Sequence, residues 1–99
     1  MPTPVRRERN TALYETILKI ETLEECIEFF EDLCAITELS ALEQRFDVAK
    51  ELIKGKVYSD ILAATGASSA TISRVNRMLR DGHGRLGEMV DRAERAKEE

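Results

Sequence analysis

Apolar side chains recur along this chain at helical spacing, and residues that start or stop helices interrupt the recurrence at a few marked places. Leu13, Ile17 and Ile20 stand at i, i+4 and i+7, so a short helix is expected from Thr11. Thr22 precedes Leu23-Glu24-Glu25, the pattern of a capping box in which the hydroxyl serves the Glu25 backbone while Glu25 reaches back to the cap. A second helix should therefore begin at Leu23. It carries two adjoining apolar stripes, Leu23, Ile27, Phe30 and Cys34 beside Cys26, Phe29 and Leu33, which is broader than packing against one neighbour requires. Thr37 is placed to cap a third helix over residues 38–54, with Gly55 ending it and Lys50 and Lys54 near its negative end. On it Leu39, Leu42, Phe46, Ala49 and Ile53 form one face, and Ala41, Val48 and Leu52 widen it.

The pattern then changes to two short helices around a glycine. In residues 56–80, Ser59 opens an apolar helix carrying Ile61 and Leu62, Gly66 breaks it, and Ser68 opens another that runs through Arg80. Gly66 suits a turn that needs positive φ, where a Cβ is penalised. In the second helix Ile72, Val75 and Leu79 must face a core, so Ala70, Ser73, Arg74 and Arg77 project to the opposite side. Two helices closed by Ile61, Gly66, Ile72 and Val75 at these spacings make a helix-turn-helix. Beyond it, Leu86, Met89, Val90 and Ala93 form one more helical stripe before a charged end, compatible with a short packed helix or a tail.

Charge sharpens this picture more than composition does. The 99 residues carry a formal net charge of −4, which argues against a polyanionic partner until its distribution is considered. Residues 1–20 and 56–85 are net positive, by +2 and +3, whereas residues 21–55 carry −7 and residues 86–99 carry −2. No acid interrupts residues 66–80. The positive field is therefore local to the helix-turn-helix and to a basic arm, residues 1–10, that contains Arg6, Arg7 and Arg9.

Other chemistries lack their parts. The acids of the second and third helices have no companion nucleophile, ligand histidine or phosphate loop, so solvated helix faces are expected and enzyme activity is not. Cys26 and Cys34 lie eight residues apart on one expected helix, too far to bridge, and read as buried thiols. With His83 as the single histidine, no metal site is expected. No run approaches the roughly 18 apolar residues of a membrane span, and no apolar segment follows the basic arm, so a cytoplasmic protein without membrane contact is expected.

The outward face of the second motif helix has the chemistry of a DNA reader. Ala70 permits close approach or contact with a thymine methyl, Thr71 and Ser73 can bond phosphates or bases, and arginine can grip guanine through two bonds. The free N–H groups near Ser68 and Ser69 suit a phosphate. The expected contact set is Ser59, Ser68, Ser69, Ala70, Thr71, Ser73, Arg74, Arg77 and Arg80. The alternative is a helical protein-interaction adaptor that keeps a degenerate helix-turn-helix for packing.

The runs TGASSATISRVNR, YETILKIETLEECIEFFEDLC and ITELSALEQRFDVAKELIKGK together resemble the Trp repressor superfamily, in particular its YerC/YecD-type branch, over residues 13–84. The resemblance implies an all-α fold whose N-terminal helices intertwine with those of a second subunit, giving a homodimer that reads a palindromic operator in double-stranded DNA. Ser68, Ser69, Ala70, Thr71 and Ser73 match the family's operator-contacting helix start, and Arg45 and Arg74 match two arginines that hold tryptophan. Met78 stands at a ligand-binding serine, Ala35 at a ligand-contacting threonine, and the segment between Gly55 and Gly66 is one residue shorter. No cofactor is therefore expected, with a tryptophan-like corepressor as the alternative. Arg74 has two readings, outward to DNA by periodicity and inward to a ligand by resemblance; Arg45 has a second one too, pairing with an acid on its own helix. The expected organisation is one domain: a basic arm over residues 1–10, a dimerisation scaffold over 11–55, a helix-turn-helix over 56–84 and a C-terminal segment over 85–99. The expected role is a transcriptional regulator acting as a repressor.

Overall fold

A computed structural model describes residues 7–98 of the chain, so Arg6 and the rest of residues 1–6 of the basic arm lie outside the described residues. Six helices follow one another: α1 (Thr11–Ile17), α2 (Leu23–Leu33), α3 (Ile36–Ile53), α4 (Tyr58–Thr65), α5 (Ser69–Asp81) and α6 (Arg85–Glu98). The chain is all-α, as its apolar periodicity implies, and it divides after Ile36 into two compact units.

The first unit holds α1 and α2. The Asn10 side chain accepts from the Leu13 N–H and starts α1, which ends at Ile17 and leaves Ile20 beyond the helix. Thr22 caps α2 by accepting from the Glu25 N–H at 3.1 Å. The Glu25 carboxylate reaches back one residue further than a capping box requires and accepts from the Glu21 N–H at 3.0 Å. Cys34 departs from its expected place inside the helix: its backbone is extended, at φ −121° and ψ 149°, and it closes α2 as its C-cap. Both cysteines are free and half-buried rather than buried. Neither helix of this unit contains a buried residue, although Phe29 and Phe30 meet edge to face at 5.3 Å.

The second unit has a core of its own. Val48 and Ala49 of α3, Ile61 of α4, Ala67 of the turn and Ile72 and Val75 of α5 pack together, with Leu52 and Leu79 against them. α3 begins at Ile36 and not at Glu38, so Thr37 lies within its first turn and not ahead of it as a cap. The extended Cys34 is the reason, since it redirects the chain before Thr37 is reached. Gly55, at φ +81°, then reverses the chain after α3. The C-terminal stripe is an ordered helix, with Val90 buried and Arg85–Glu88 and Arg95–Asp91 ion pairs along its surface.

Candidate nucleic-acid interface

The segment after Gly55 runs extended through Val57, whose carbonyl accepts the first helical bond of α4 from the Ile61 N–H at 3.1 Å. Val57 is thus the N-cap, without a side-chain bond, and Ser59 is not the cap it was expected to be. Burial of Ile61 sets this start: it places the fully buried side chain on the core face and leaves Ser59 exposed in the first turn.

Gly66 closes α4 at φ +71°, its N–H donating to the Leu62 carbonyl at 2.9 Å. A Cβ there would meet nothing within 4 Å, so glycine is needed for its dihedral and not for space. Ala67, almost fully buried, plugs the turn. Ser68 caps α5: its hydroxyl oxygen accepts from the Thr71 N–H at 3.2 Å and its proton goes to Thr71 Oγ1 at 3.1 Å. Tyr58 and Asn76 tie the two helices together, the amide nitrogen of Asn76 donating to the phenol oxygen at 3.2 Å.

With Ile72 and Val75 buried, the remaining faces of α5 are fixed. Ser68, Ser69, Ala70, Arg74, Arg77 and Arg80 are exposed, while Thr71 and Ser73 are half-buried. At ~1.5 Å per residue, Arg80 stands roughly 18 Å along the axis from the cap, so small residues occupy the leading end and arginines the trailing one. Among the described residues no ion pair involves Arg74, Arg77 or Arg80.

Within the single chain Arg74 is exposed and lines no cavity that Arg45 also lines. An apolar cavity of about 450 Å³ opens between α3, the end of α5 and the start of α6, and Arg45, Ile53, Val75, Met78 and Leu79 contribute to its wall with residues 82–87. Arg45 is on that wall and Arg74 is not, so the two arginines do not converge on one cavity. Nor does Arg45 form an ion pair with an acid of its own helix among the described residues. Two tethers escaped sequence reasoning, Tyr58–Asn76 and a bond from Gln44 Nε2 to the Thr65 carbonyl at 3.3 Å; their partners are 18 and 21 residues apart, and no periodicity links them.

The model of the Trp repressor protein family matches residues 8–94, nearly the whole chain. This protein belongs to the Trp repressor family. The Bacillus subtilis protein YerC, whose function is uncharacterised, is 45% identical over 87 residues, covering 88% of this chain and 84% of its own. A solved structure of a candidate Trp repressor from Staphylococcus aureus is 43% identical with a TM-score of 0.81, over 87% of this chain and 89% of that one. A TrpR-like protein from Eubacterium eligens is 46% identical with a TM-score of 0.80, over 84% and 86% of the two chains. The family is one of non-enzymatic DNA-binding regulators, and its all-helical fold is the one described above. Among the described residues no helix is long and apolar enough to cross a membrane.

Proposed function

We infer that this member of the Trp repressor family is a sequence-specific transcriptional repressor that binds a palindromic operator in double-stranded DNA as a homodimer. The observation that carries the reading is the outward face of α5: a capped helix with no acid before its last residue, Asp81, whose small residues lead, whose arginines follow, and whose core face carries the buried Ile72 and Val75. Small leading residues let backbone and base edges approach, and unpaired arginines supply both guanine recognition and phosphate neutralisation.

The dimer rests on the other unit. α1 and α2 bury no residue, yet α2 is strongly amphipathic and Leu23 is 77% exposed. Leu18 and Ile36 are more exposed still. A second copy that intertwines with these helices would cover that surface and would set two α5 helices in successive major grooves, about 34 Å apart.

No tryptophan is required by this reading. In the single chain Arg45 lines the cavity without Arg74, and Met78 contributes a thioether to the same wall.

Selection from a random duplex library at low and moderate salt tests the proposal. Enrichment of a palindrome with half-sites roughly 10 base pairs apart is expected; recovery of no enriched palindrome at either salt would overturn it. A thermal-shift measurement with millimolar tryptophan should show no stabilisation, since a ligand that binds the native state raises its apparent stability by mass action.

A further inference from the structure

Apolar packing holds the helix-turn-helix at the right distance from α3 but does not by itself set its direction, because hydrophobic attraction is non-directional. Hydrogen bonds are directional, and one chain of them runs from the scaffold to the reader. Gln44 lies one helical turn before the fully buried Val48 on α3 and is half-buried. Its Nε2 donates to the carbonyl of Thr65, the last residue of α4, at 3.3 Å. That carbonyl is one of the acceptors a helix end leaves without an intrahelical donor. The Thr65 hydroxyl donates to the Ile61 carbonyl at 2.7 Å and accepts from the Ala67 N–H at 3.2 Å. Ala67 is followed directly by Ser68, the cap of α5. Thr65 therefore gathers α3, α4 and the entry to α5 at one point, directly before the left-handed Gly66.

We propose that Gln44 is a positioning residue for DNA recognition: acting through Thr65, it fixes the angle at which α5 leaves the scaffold, so that the reader is set for its half-site without a bound effector. The proposal rests on the operator-binding reading above and deepens it. Tilting α5 by about 10° about its N-terminus would move Arg80, roughly 18 Å away, by about 3 Å, comparable to a whole hydrogen-bond length. Such a change spoils base readout while leaving the arginines free to meet phosphates.

The test compares Gln44→Met, which keeps side-chain length and removes the donor, with Thr65→Val and Thr65→Ser in the full chain. The probes are the duplex enriched by selection and a scrambled duplex of the same length. Gln44→Met and Thr65→Val should each lose on the order of tenfold in affinity for the selected duplex, and together little more than either alone, as expected of coupled neighbours. Affinity for the scrambled duplex and its salt dependence should stay at the wild-type values, because the phosphate contacts are untouched. Thr65→Ser, which keeps the hydroxyl, should retain wild-type discrimination. Unchanged affinity of Gln44→Met for the selected duplex would overturn the positioning role alone. A parallel loss on both duplexes with a lowered melting temperature would assign Gln44 to stability and also overturn it. If the wild-type chain selects no duplex, operator binding itself falls, and the two failures are thereby distinguished.

Discussion

Arg74 has two functional readings, and in the single chain its side chain is exposed. By resemblance it pairs with Arg45 around a ligand; by periodicity it faces away from Ile72 and Val75. The buried positions of α5 fix the second geometry, since Ile72 and Val75 are both in the core and a residue two positions after Ile72 cannot share its direction. Arg74 is exposed and Arg45 lines a cavity that Arg74 does not reach. Arg74→Ala should therefore weaken binding to the selected duplex by about tenfold if it grips a base edge, or lower the salt slope by about 1 if it meets a phosphate. Arg45→Ala should do neither. Anisotropy titrations over a salt series distinguish these outcomes, and an unaltered Arg74→Ala would remove it from the interface.

Helix starts marked by a hydroxyl, and the α4 end marked by a glycine, were legible in the sequence, whereas starts set by an extended backbone without a side-chain bond were not. Thr22 and Ser68 announce α2 and α5 because a hydroxyl ahead of an apolar period has a donor to satisfy, and both accept the bonds their positions suggest. α4 starts at Tyr58 under an extended Val57 with no side-chain bond, a start that only the burial of Ile61 explains. α3 starts earlier than Thr37 for a related reason, the extended turn at Cys34. The Gly66 turn and the exposure of Ala70, Arg74 and Arg77 followed from spacing, although Ser73 of the same set is half-buried; the Gln44 and Tyr58 tethers did not, because they join distant segments. In the proposed operator complex the α5 cap would also have a functional consequence, since a helix N-terminus offers N–H groups to a phosphate. Ser68→Ala should destabilise the chain by about 1 kcal/mol. It should also cost operator affinity beyond that effect, because fraying would displace Ser69 and Ala70. Chemical denaturation and duplex titration on the same variant check the two parts, and Ser68→Asp, which restores the cap but repels phosphate, should recover stability without recovering binding.

At the scale of the molecule, the acidic scaffold and the basic reader impose a division of labour. Residues 21–55 carry −7 and residues 56–85 carry +3, so the net charge of the chain opposes a polyanion while the charge of the reader segment itself favours one. In the proposed dimer, two readers held in register would offset that handicap, since the second would bind at a high effective concentration once the first is seated. The surface available to hold them is that of α1 and α2, where Leu18, Leu23, Ile27 and Leu33 are all exposed in the single chain. Full burial of each such side chain is worth about 1.5–3 kcal/mol, so a few of them on each copy provide for association against its entropic cost. Charging the stripe should reverse this: Leu23→Asp with Ile27→Glu should convert the proposed dimer into a monomer, read as a halved mass by light scattering. The core of Val48, Ile61, Ile72 and Val75 lies in the second unit, so the variant should keep the helicity of α3 to α6 and lose that of α1 and α2. Its affinity for an isolated half-site should hardly change, while its affinity for the palindrome should fall by on the order of a hundredfold, the advantage that linkage of two sites confers. A variant that stays dimeric would place the subunit interface elsewhere, and one that becomes monomeric yet binds the palindrome as tightly as before would show that one reader suffices.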